Sequence, residues 1–363
     1  MAAARERVAV FCAKSGHVKH VHIEPGGPAI VHAERIRSPV IIVGGGLAGL
    51  SAAIYLGRAR RETLLIDSGK SMARWEPDVQ NYLGFPDGIE GEELLRRARA
   101  QARRYHVKIK RDEIFAARKS TENSFLLKGG SKTYECQRLL LATGIYHVPP
   151  DLPQIKPCLG HSLFFCKDCD GFRVQDQAIA IYGWTNETVE YALGMMFYSS
   201  CVAIVTDGHE PRWDRQHTEW IREYELPVYA HPITGVIRKG SQLEALKFSP
   251  AARLVVSALF TTRGDIYFNR LAQALGAEIN RDGEITVDSN MRTTVPGLYA
   301  AGCVTPANCQ MIIAAGQGAT AAQAINRDLF MESLETHSLR RIRVRQLKNS
   351  KTRPAIRMKV AKA

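Results

Sequence analysis

Apolar residues are gathered in this chain into short uninterrupted runs, each followed by a turn rich in small residues. The first run occupies 40–43 and leads into a glycine cluster at 44–49, and a second run occupies 63–66. The stretch 50–59 between them has the composition of a helix. Short apolar runs without alternation are typical of strands buried on both faces of a parallel sheet. The pattern therefore predicts a unit of strand, turn, helix and strand.

The turn of this unit has the pattern Gly-x-Gly-x-x-Gly at Gly44, Gly46 and Gly49. Gly44 permits a tight turn, and Gly46 lets backbone N–H groups approach a pyrophosphate. Gly49 lets the helix pack closely on the strand. Asp67, at the end of the second strand, can accept a hydrogen bond from a ribose hydroxyl. Together these features predict a dinucleotide-binding site.

A second unit of the same order follows, with a strand at 178–182, a turn at 183–188, a helix at 189–197 and a strand at 201–205. Its turn reads Gly-Trp-Thr-Asn-Glu-Thr, in which a single glycine remains. The pattern therefore predicts a degenerate second nucleotide-binding unit.

The remaining apolar segments indicate that the chain returns to the first unit after the second. A strand is predicted at 139–144, and a proline-rich hinge follows at 149–153. After the second unit come a strand at 283–287, a strand and turn at 295–302, and a helix rich in alanine and glycine at 311–329. Small side chains allow that helix to pack tightly against backbone or a flat ligand.

The N-terminal residues 1–37 precede these units and alternate weakly between apolar and polar positions. A short edge hairpin is predicted from residues 8–12 and 18–23. A metal site is the alternative, but the spacings match no standard zinc pattern. The candidate ligands are Cys12, His17, His20, His22 and His32.

Composition excludes several classes of protein. With 45% apolar and 23% charged residues among 363, wholesale disorder is excluded. Eight scattered cysteines do not indicate a disulfide-stapled secreted domain. Since no secretory signal is recognised, we expect the protein to lie in a reducing cytoplasm.

The uncharged runs 38–57 and 293–326 resemble membrane spans in length. Their glycine clusters and polar residues favour buried loops, so no membrane span is predicted.

The net charge of +13 is concentrated at the C-terminus. Residues 336–363 contain ten lysines and arginines and no acidic residue. We interpret this segment as a mobile basic arm with a solvated, partly disordered terminus. Nucleic acid, an anionic membrane or an acidic protein could attract it.

The main candidate for chemistry is the pair Cys166 and Cys169. Two cysteines at this spacing can form a small disulfide ring and exchange it with a partner. Asp170, which follows them, could move protons as the thiolates form and decay. The alternatives are half of a zinc site and an inert buried pair. A second pair of metal ligands is missing, so no metal is predicted.

From about residue 39 to 329 the chain resembles the low-molecular-weight thioredoxin reductases, a family of FAD flavoproteins. The resemblance rests on motifs in a specific order: Gly44-Gly45-Gly46-Leu47-Ala48-Gly49, Asn81-Tyr82-Leu83-Gly84-Phe85-Pro86, Ala142-Thr143-Gly144, Cys166-Lys167-Asp168-Cys169-Asp170-Gly171, Gly297-Leu298-Tyr299-Ala300-Ala301-Gly302, Gln310, and Ala314-Ala315-Gly316-Gln317-Gly318.

This resemblance implies an α/β fold with two Rossmann-like three-layer domains, a discontinuous FAD domain and an inserted redox-disulfide domain. The implied segments are an extension at 1–37, the FAD domain at 38–149 and 261–332, the inserted domain at 150–260 and the basic tail at 333–363. It also implies a homodimer.

The resemblance further assigns roles to residues. Cys169 would face the flavin, Cys166 would attack the disulfide of the partner, and Asp170 would act as acid and base. A helix starting near Gln310 would direct its positive end at the flavin pyrimidine edge. The implied cofactor-binding residues are Gly44, Gly46, Leu47, Ala48, Gly49, Asp67, Asn81, Thr143, Gly144, Gly302, Cys303 and Gln310.

Two departures from the family alter these expectations. Thr185 and Thr188 stand where close approach to a pyrophosphate needs glycine or alanine, and Asp207 replaces part of a basic cluster for the 2′-phosphate of NADPH. Cys303 replaces an aspartate that accepts from ribityl hydroxyls, so FAD binding would change. Cys303 and Cys309 could form a second redox pair or simply fill small buried space.

Three functions follow from these features. The first is an FAD-dependent thiol–disulfide oxidoreductase that reduces a thioredoxin-like protein or a small disulfide, with electrons from a donor such as ferredoxin. A conventional NAD(P)H-linked thioredoxin reductase remains its nearest alternative. The second is a flavin-dependent dithiol oxidase that uses oxygen. The third is a non-enzymatic flavin-bound regulator that holds nucleic acid through the tail.

Overall fold

The computed structural model describes residues 8–11, 18–21, 35–121, 123–262 and 264–349. The chain divides into the units Met1–Arg35 and Ile36–Ala363. In the first unit, β1 (Val8–Phe11) and β2 (Val18–Val21) pair antiparallel, with Val8 opposite Val21. The predicted hairpin is therefore confirmed. The alternative metal site rests on side chains outside the described part, and among the described residues no cluster of three or more potential ligands could hold a metal ion.

From β3, whose first residue Arg35 ends the first unit, the chain continues with a run of strands and two helices. These elements are β3 (Arg35–Arg37), β4 (Val40–Val43), α1 (Leu47–Arg58), β5 (Thr63–Asp67), α2 (Gly91–Arg104), β6 (Lys108–Arg111), β7 (Ile114–Thr121), β8 (Ser124–Gly129), β9 (Thr133–Cys136), β10 (Arg138–Leu141) and β11 (Ile145–His147).

The central segment contains a second alternation of strands and helices. Its elements are β12 (Leu163–Phe164), α3 (Lys167–Asp170), β13 (Ile179–Tyr182), α4 (Asn186–Met195), β14 (Val202–Val205), α5 (Arg215–Glu223), β15 (Val228–Tyr229), β16 (Ile233–Lys239), β17 (Gln242–Phe248), β18 (Arg253–Val255) and β19 (Ala258–Thr261).

The last segment is mainly helical. It contains β20 (Asp265–Tyr267), α6 (Arg270–Ala274), β21 (Leu298–Ala300), α7 (Met311–Glu335) and α8 (Ser338–Asn349). No helix in the described part of the chain combines the length and apolar character that crossing a bilayer requires.

Two five-stranded parallel sheets organise this unit. The first has the order β21-β10-β4-β5-β6, so a strand from the last segment completes a sheet that the first segment begins. The second has the order β12-β19-β13-β14-β15 and comes entirely from the central segment. The antiparallel pair β11 and β20 lies where the chain enters and leaves that segment.

Each sheet forms the middle of three layers. Successive side chains of a strand point to opposite faces, so an apolar strand packs against other elements on both sides of the sheet. In β4, Ile42 packs with α1, α2 and α7, whereas Ile41 packs with the antiparallel sheet of β7, β8 and β9. In β13, Ile181 packs with α4, and Ala180 packs with β16 and β17. The observed fold is the predicted α/β arrangement of two Rossmann-like three-layer domains.

Helix α7 lies unusually close to α1. A Cβ at Gly318 would stand 2.0 Å from the carbonyl oxygen of Ala48, so only glycine permits this approach. The alanines and glycines of the predicted helix therefore serve helix packing, and they set the N-terminus of α7 beside the turn that precedes α1.

Two predictions about secondary structure are wrong. No strand forms at 283–287. Asn280 instead folds this segment into a turn by accepting the N–H groups of Asp282 and Glu284. The first part of the basic tail is the helix α8 rather than a mobile arm, because 338–349 contains no glycine or proline and is rich in leucine, arginine and lysine, which favour helix. Residues 350–363 lie outside the described part.

Candidate active site

A cavity of about 700 Å³ opens at the carboxyl ends of the strands of the first sheet. Ligands bind at this edge in open parallel sheets. The cavity is lined by these residues named from sequence: Gly44, Gly46, Leu47, Ala48, Asp67, Asn81, Thr143, Gly144, Cys166, Cys169, Asp170, Gly302, Cys303 and Gln310. Gly49 lies directly behind its wall.

The glycine turn between β4 and α1 leaves no room for a side chain at Gly44, Gly45 or Gly49. Gly44 has φ +115°, and a Cβ there would lie 2.0 Å from the carbonyl oxygen of Ala142. A Cβ at Gly49 would lie 1.9 Å from the carbonyl oxygen of Gly44. Gly46 faces open space, with Ser71 Oγ the nearest atom to a Cβ at 3.4 Å. Backbone N–H groups at the start of α1 are therefore accessible to a phosphate.

Asp67 occupies the end of β5, where its side chain is buried. Its Oδ1 accepts the N–H of Gly69 at 2.7 Å, and Arg99 lies 3.6 Å from its Oδ2. A carboxylate fixed in this way at the cavity wall can accept a hydrogen bond from a ribose.

The far wall is set by two loops. Thr143 Oγ1 donates to the carbonyl of Phe268 at 2.7 Å, and Gly302, with φ +85°, donates its N–H to Gln317 Oε1 at 2.8 Å. A glycine cradle, a buried acidic residue and a cavity of this volume that is also lined by a cysteine pair together fit FAD. When bound, FAD would supply two-electron redox chemistry beside that pair.

Cys166 and Cys169 form a disulfide at the start of α3. Cys169 donates its backbone N–H to Cys166 Sγ at 3.1 Å. Gln310 Nε2 lies 3.2 Å from each sulfur, and Gln310 Oε1 accepts from Asn81 Nδ2 at 2.9 Å. Residues from three segments of the chain thus hold the disulfide inside the cavity.

Acidic side chains line the same cavity as this disulfide. Asp170 is buried and accepts from Arg173 at 2.8 Å, and burial raises the pKa of its carboxyl above the usual value. Glu76 lines the same cavity, and burial, followed by the charge of Asp170, raises its pKa to about 7. A carboxyl group that titrates near neutral pH can exchange protons with thiols as the disulfide opens and closes.

Sequence reasoning missed Glu76 and His147. Both lie outside the recognised motifs, and only the tertiary fold brings them to the cavity. His147 Nδ1 lies 2.5 Å from Asp265 Oδ1, and its ring stacks on Phe165 with centroids 4.9 Å apart. No pattern in the sequence could have identified either residue.

A second disulfide joins Cys303 and Cys309. Both residues line the same cavity as the first pair, and both are partly exposed. Cys309 immediately precedes Gln310, the residue that contacts both sulfurs of the first disulfide.

The second nucleotide-binding turn is partly covered by its own chain, with Thr185 and Glu187 left exposed. Trp184 stacks on His209 with ring centroids 3.8 Å apart, and the Trp184 carbonyl accepts the N–H of Arg212 at 2.7 Å. Asn186, the first residue of α4, exchanges two hydrogen bonds with Asp214, at 3.0 and 2.9 Å. Residues 209–214 therefore lie across the start of α4.

The polar side chains of Thr185, Thr188 and Asp207, which depart from the sequence pattern of the family, make hydrogen bonds within this chain. Thr188 is fully buried, and its Oγ1 lies 2.9 Å from Thr262 Oγ1. Thr185 and Thr188 form a capping box at the start of α4, in which the side chain of each accepts the backbone N–H of the other. The two oxygens of Asp207 accept from Tyr182 Oη at 2.9 Å and from the N–H of Ile233 at 2.6 Å. These contacts stabilise the fold of the turn itself.

Comparisons with known proteins agree with this geometry. A profile of the pyridine nucleotide-disulphide oxidoreductases matches residues 38–325, and the chain belongs to this family, within it to the low-molecular-weight thioredoxin reductase-like branch. It is 30% identical to a thioredoxin reductase of Coxiella burnetii over 81% of this chain and 97% of that protein. It is 27% identical to one of Streptomyces coelicolor over 81% and 94%.

Solved structures are similar over the same extent. HlmI is 27% identical and superposes with a TM-score of 0.78, covering 85% of this chain and 97% of its own. The thioredoxin reductase of Streptococcus pyogenes, at 20% identity and a TM-score of 0.76, covers 81% of this chain and 99% of its own and supports the fold alone. The protein is thus an FAD-dependent disulfide oxidoreductase.

Proposed function

We propose that the protein carries electrons from a donor other than NADPH, through FAD and the Cys166–Cys169 disulfide, to a thioredoxin-like protein. The observation that carries the choice of donor is the loop of residues 209–214, which contacts the turn at the N-terminus of α4 and partly covers it. In a Rossmann unit that N-terminus must be open, since a dinucleotide pyrophosphate binds there.

The covering contacts oppose a nucleotide in two ways. Trp184 and His209 form a stacked pair beside the turn, and the N–H of Arg212 donates to the carbonyl of Trp184, which holds the loop against the turn. Binding of a pyrophosphate would require these contacts to break, whereas the family turn needs no such rearrangement. Asp207 would in addition repel a 2′-phosphate.

A one-electron donor of the ferredoxin type needs no nucleotide pocket. It needs access to the flavin edge from the surface. We include in the proposal a thioredoxin-like protein or a small disulfide as acceptor, a homodimer and a cytoplasmic location.

The roles of the two cysteines also belong to this proposal. Cys169 would receive the electron pair from reduced flavin, and Cys166 would attack the disulfide of the partner. Asp170 and Glu76 would exchange the protons. Their burial supports this role because a carboxyl group with a raised pKa is a better proton donor at neutral pH.

A turnover assay tests the proposal. Reduction of thioredoxin is followed with photoreduced ferredoxin, NADPH or NADH as the electron source. We expect turnover with ferredoxin and at most slow turnover with either nucleotide. The double variant Cys166→Ser/Cys169→Ser is the control and should be inactive with every donor. Rapid turnover with NADPH would show that the covering residues move aside and that the donor is the ordinary one.

A further inference from the structure

We propose that the Cys303–Cys309 disulfide is a second redox centre of the cofactor cavity, reduced directly by the flavin. This inference rests on the proposed function for the source of electrons. It assigns a role to two residues that the passage of electrons to Cys166–Cys169 does not require.

The first observation is the location of this pair. Both cysteines line the cavity that fits FAD and are partly exposed there. The free cysteines Cys136 and Cys158 show the contrasting case, since they are buried away from the cavity and burial raises the pKa of both thiols. Buried thiols of that kind are inert, whereas accessible ones react.

The second observation is the helix that follows Cys309. Helix α7 extends over 25 residues from Met311, and Gln310 caps it, so Cys309 lies one residue before the cap. The partial positive charge of a helix N-terminus stabilises a thiolate. Reduction of this disulfide therefore gives a product that the local electrostatics favour.

The third observation is that the loop between the two cysteines is held without their bond. Thr305 donates its N–H and its hydroxyl to the Gly302 carbonyl at 2.9 and 2.8 Å. Gln317 Oε1 accepts the N–H of Gly302 at 2.8 Å. A disulfide that closes so short a loop restricts the unfolded chain less than a long one does. The bond can thus open while the loop keeps its shape.

The proposed step is balanced. The Cys303–Cys309 bond breaks on accepting two electrons from the reduced flavin, which is thereby reoxidised; one proton completes the Cys303 thiol, and Cys309 is left as the thiolate. The protein would then hold a second electron pair beside the one on Cys166 and Cys169. A reserve of this kind suits an enzyme that receives electrons singly and delivers them in pairs.

Anaerobic reductive titration of the FAD-loaded protein tests this proposal. We expect the wild type to take up three electron pairs per flavin, one for FAD and one for each disulfide. Cys303→Ser/Cys309→Ser and Cys166→Ser/Cys169→Ser should each take up two pairs. The control Cys201→Ser changes an exposed cysteine outside the cavity and should take up three.

A second measurement needs no variant. Wild-type protein reduced with three electron pairs is denatured in acid and alkylated, and the peptide that contains both Cys303 and Cys309 is weighed. We expect it to carry two labels. Two electron pairs in the wild type, with this peptide unlabelled, would overturn the proposal, and so would one pair in Cys166→Ser/Cys169→Ser. If that variant instead matches the wild type, Cys166–Cys169 takes up no electrons and the proposed function fails.

Discussion

Glu76 offers a quantitative test of the electrostatics of the active site. Its carboxyl has a pKa of about 7, against an ordinary value of 4.5, chiefly because it is buried and also because Asp170 lies near. Each unit of pKa difference between folded and unfolded protein corresponds to 1.36 kcal/mol. The difference therefore amounts to about 3 kcal/mol of unfolding free energy.

The sign follows from where the proton is held. Between pH 4.5 and about 7 the unfolded chain has released this proton and the folded protein keeps it, so the contribution of Glu76 to stability is present below pH 4.5 and is lost as pH rises. Glu76→Gln abolishes this titration. Relative to the wild type, the unfolding free energy of the variant should rise by up to about 3 kcal/mol between pH 4.5 and pH 8.

Urea unfolding with excess FAD, followed by circular dichroism from pH 4.5 to 8, measures this difference. Asp87→Asn is the matched control, because Asp87 is an exposed carboxylate in the same region of the chain. The control should run parallel to the wild type. If the stability difference between Glu76→Gln and the wild type is the same at every pH, the raised pKa is wrong and Glu76 cannot serve as a proton donor near neutrality.

Three further predictions concern the cofactor and the tail. Cys166→Ser should leave Cys169 as a thiolate beside the flavin and produce a long-wavelength charge-transfer band in the absorption spectrum. Cys169→Ser should produce no such band. Similar spectra for the two variants would contradict the roles assigned to the cysteines. Gly44→Ala should lower the FAD content severely, because the left-handed φ and the 2.0 Å approach to Ala142 each oppose a side chain, whereas Gly235→Ala, with open space around it, should keep full FAD. Deleting 336–363 should leave FAD content and thermal midpoint unchanged, and loss of soluble protein would show that α8 packs on the body.

The elements that sequence predicts best are those whose burial leaves a simple pattern. The run 40–43 and its glycine turn predicted β4 and α1 because a strand buried on both faces must be apolar throughout. The start of α1 was placed at 50 instead of Leu47, since the glycine turn already forms the first helical turn. The apolar pattern of 283–287 predicts a strand, but the side chain of Asn280 accepts the N–H of Glu284 and begins the segment with a turn.

The active site likewise contains residues that sequence motifs identify and residues that only the tertiary structure brings to the cavity. Residues in motifs could be named because a turn or a cysteine pair has a required spacing, and the structure brings nearly all of them to one cavity. Glu76 could not be named, because its pKa depends on burial between segments distant in sequence. From the sequence we expect Thr185 and Thr188 to oppose a pyrophosphate at the second turn. The contact of Trp184 with His209 and Arg212 could not be predicted, because it depends on the path of a loop.

The most direct test of the proposed electron path is anaerobic stopped-flow mixing of the oxidised, FAD-loaded protein with a large excess of NADPH, and separately with reduced ferredoxin. Flavin absorbance reports reduction in both experiments. The covered start of α4 predicts slow, non-saturating bleaching with NADPH and rapid bleaching with ferredoxin. Rapid, saturable bleaching with NADPH would contradict the proposal and make this protein an ordinary NADPH-linked enzyme.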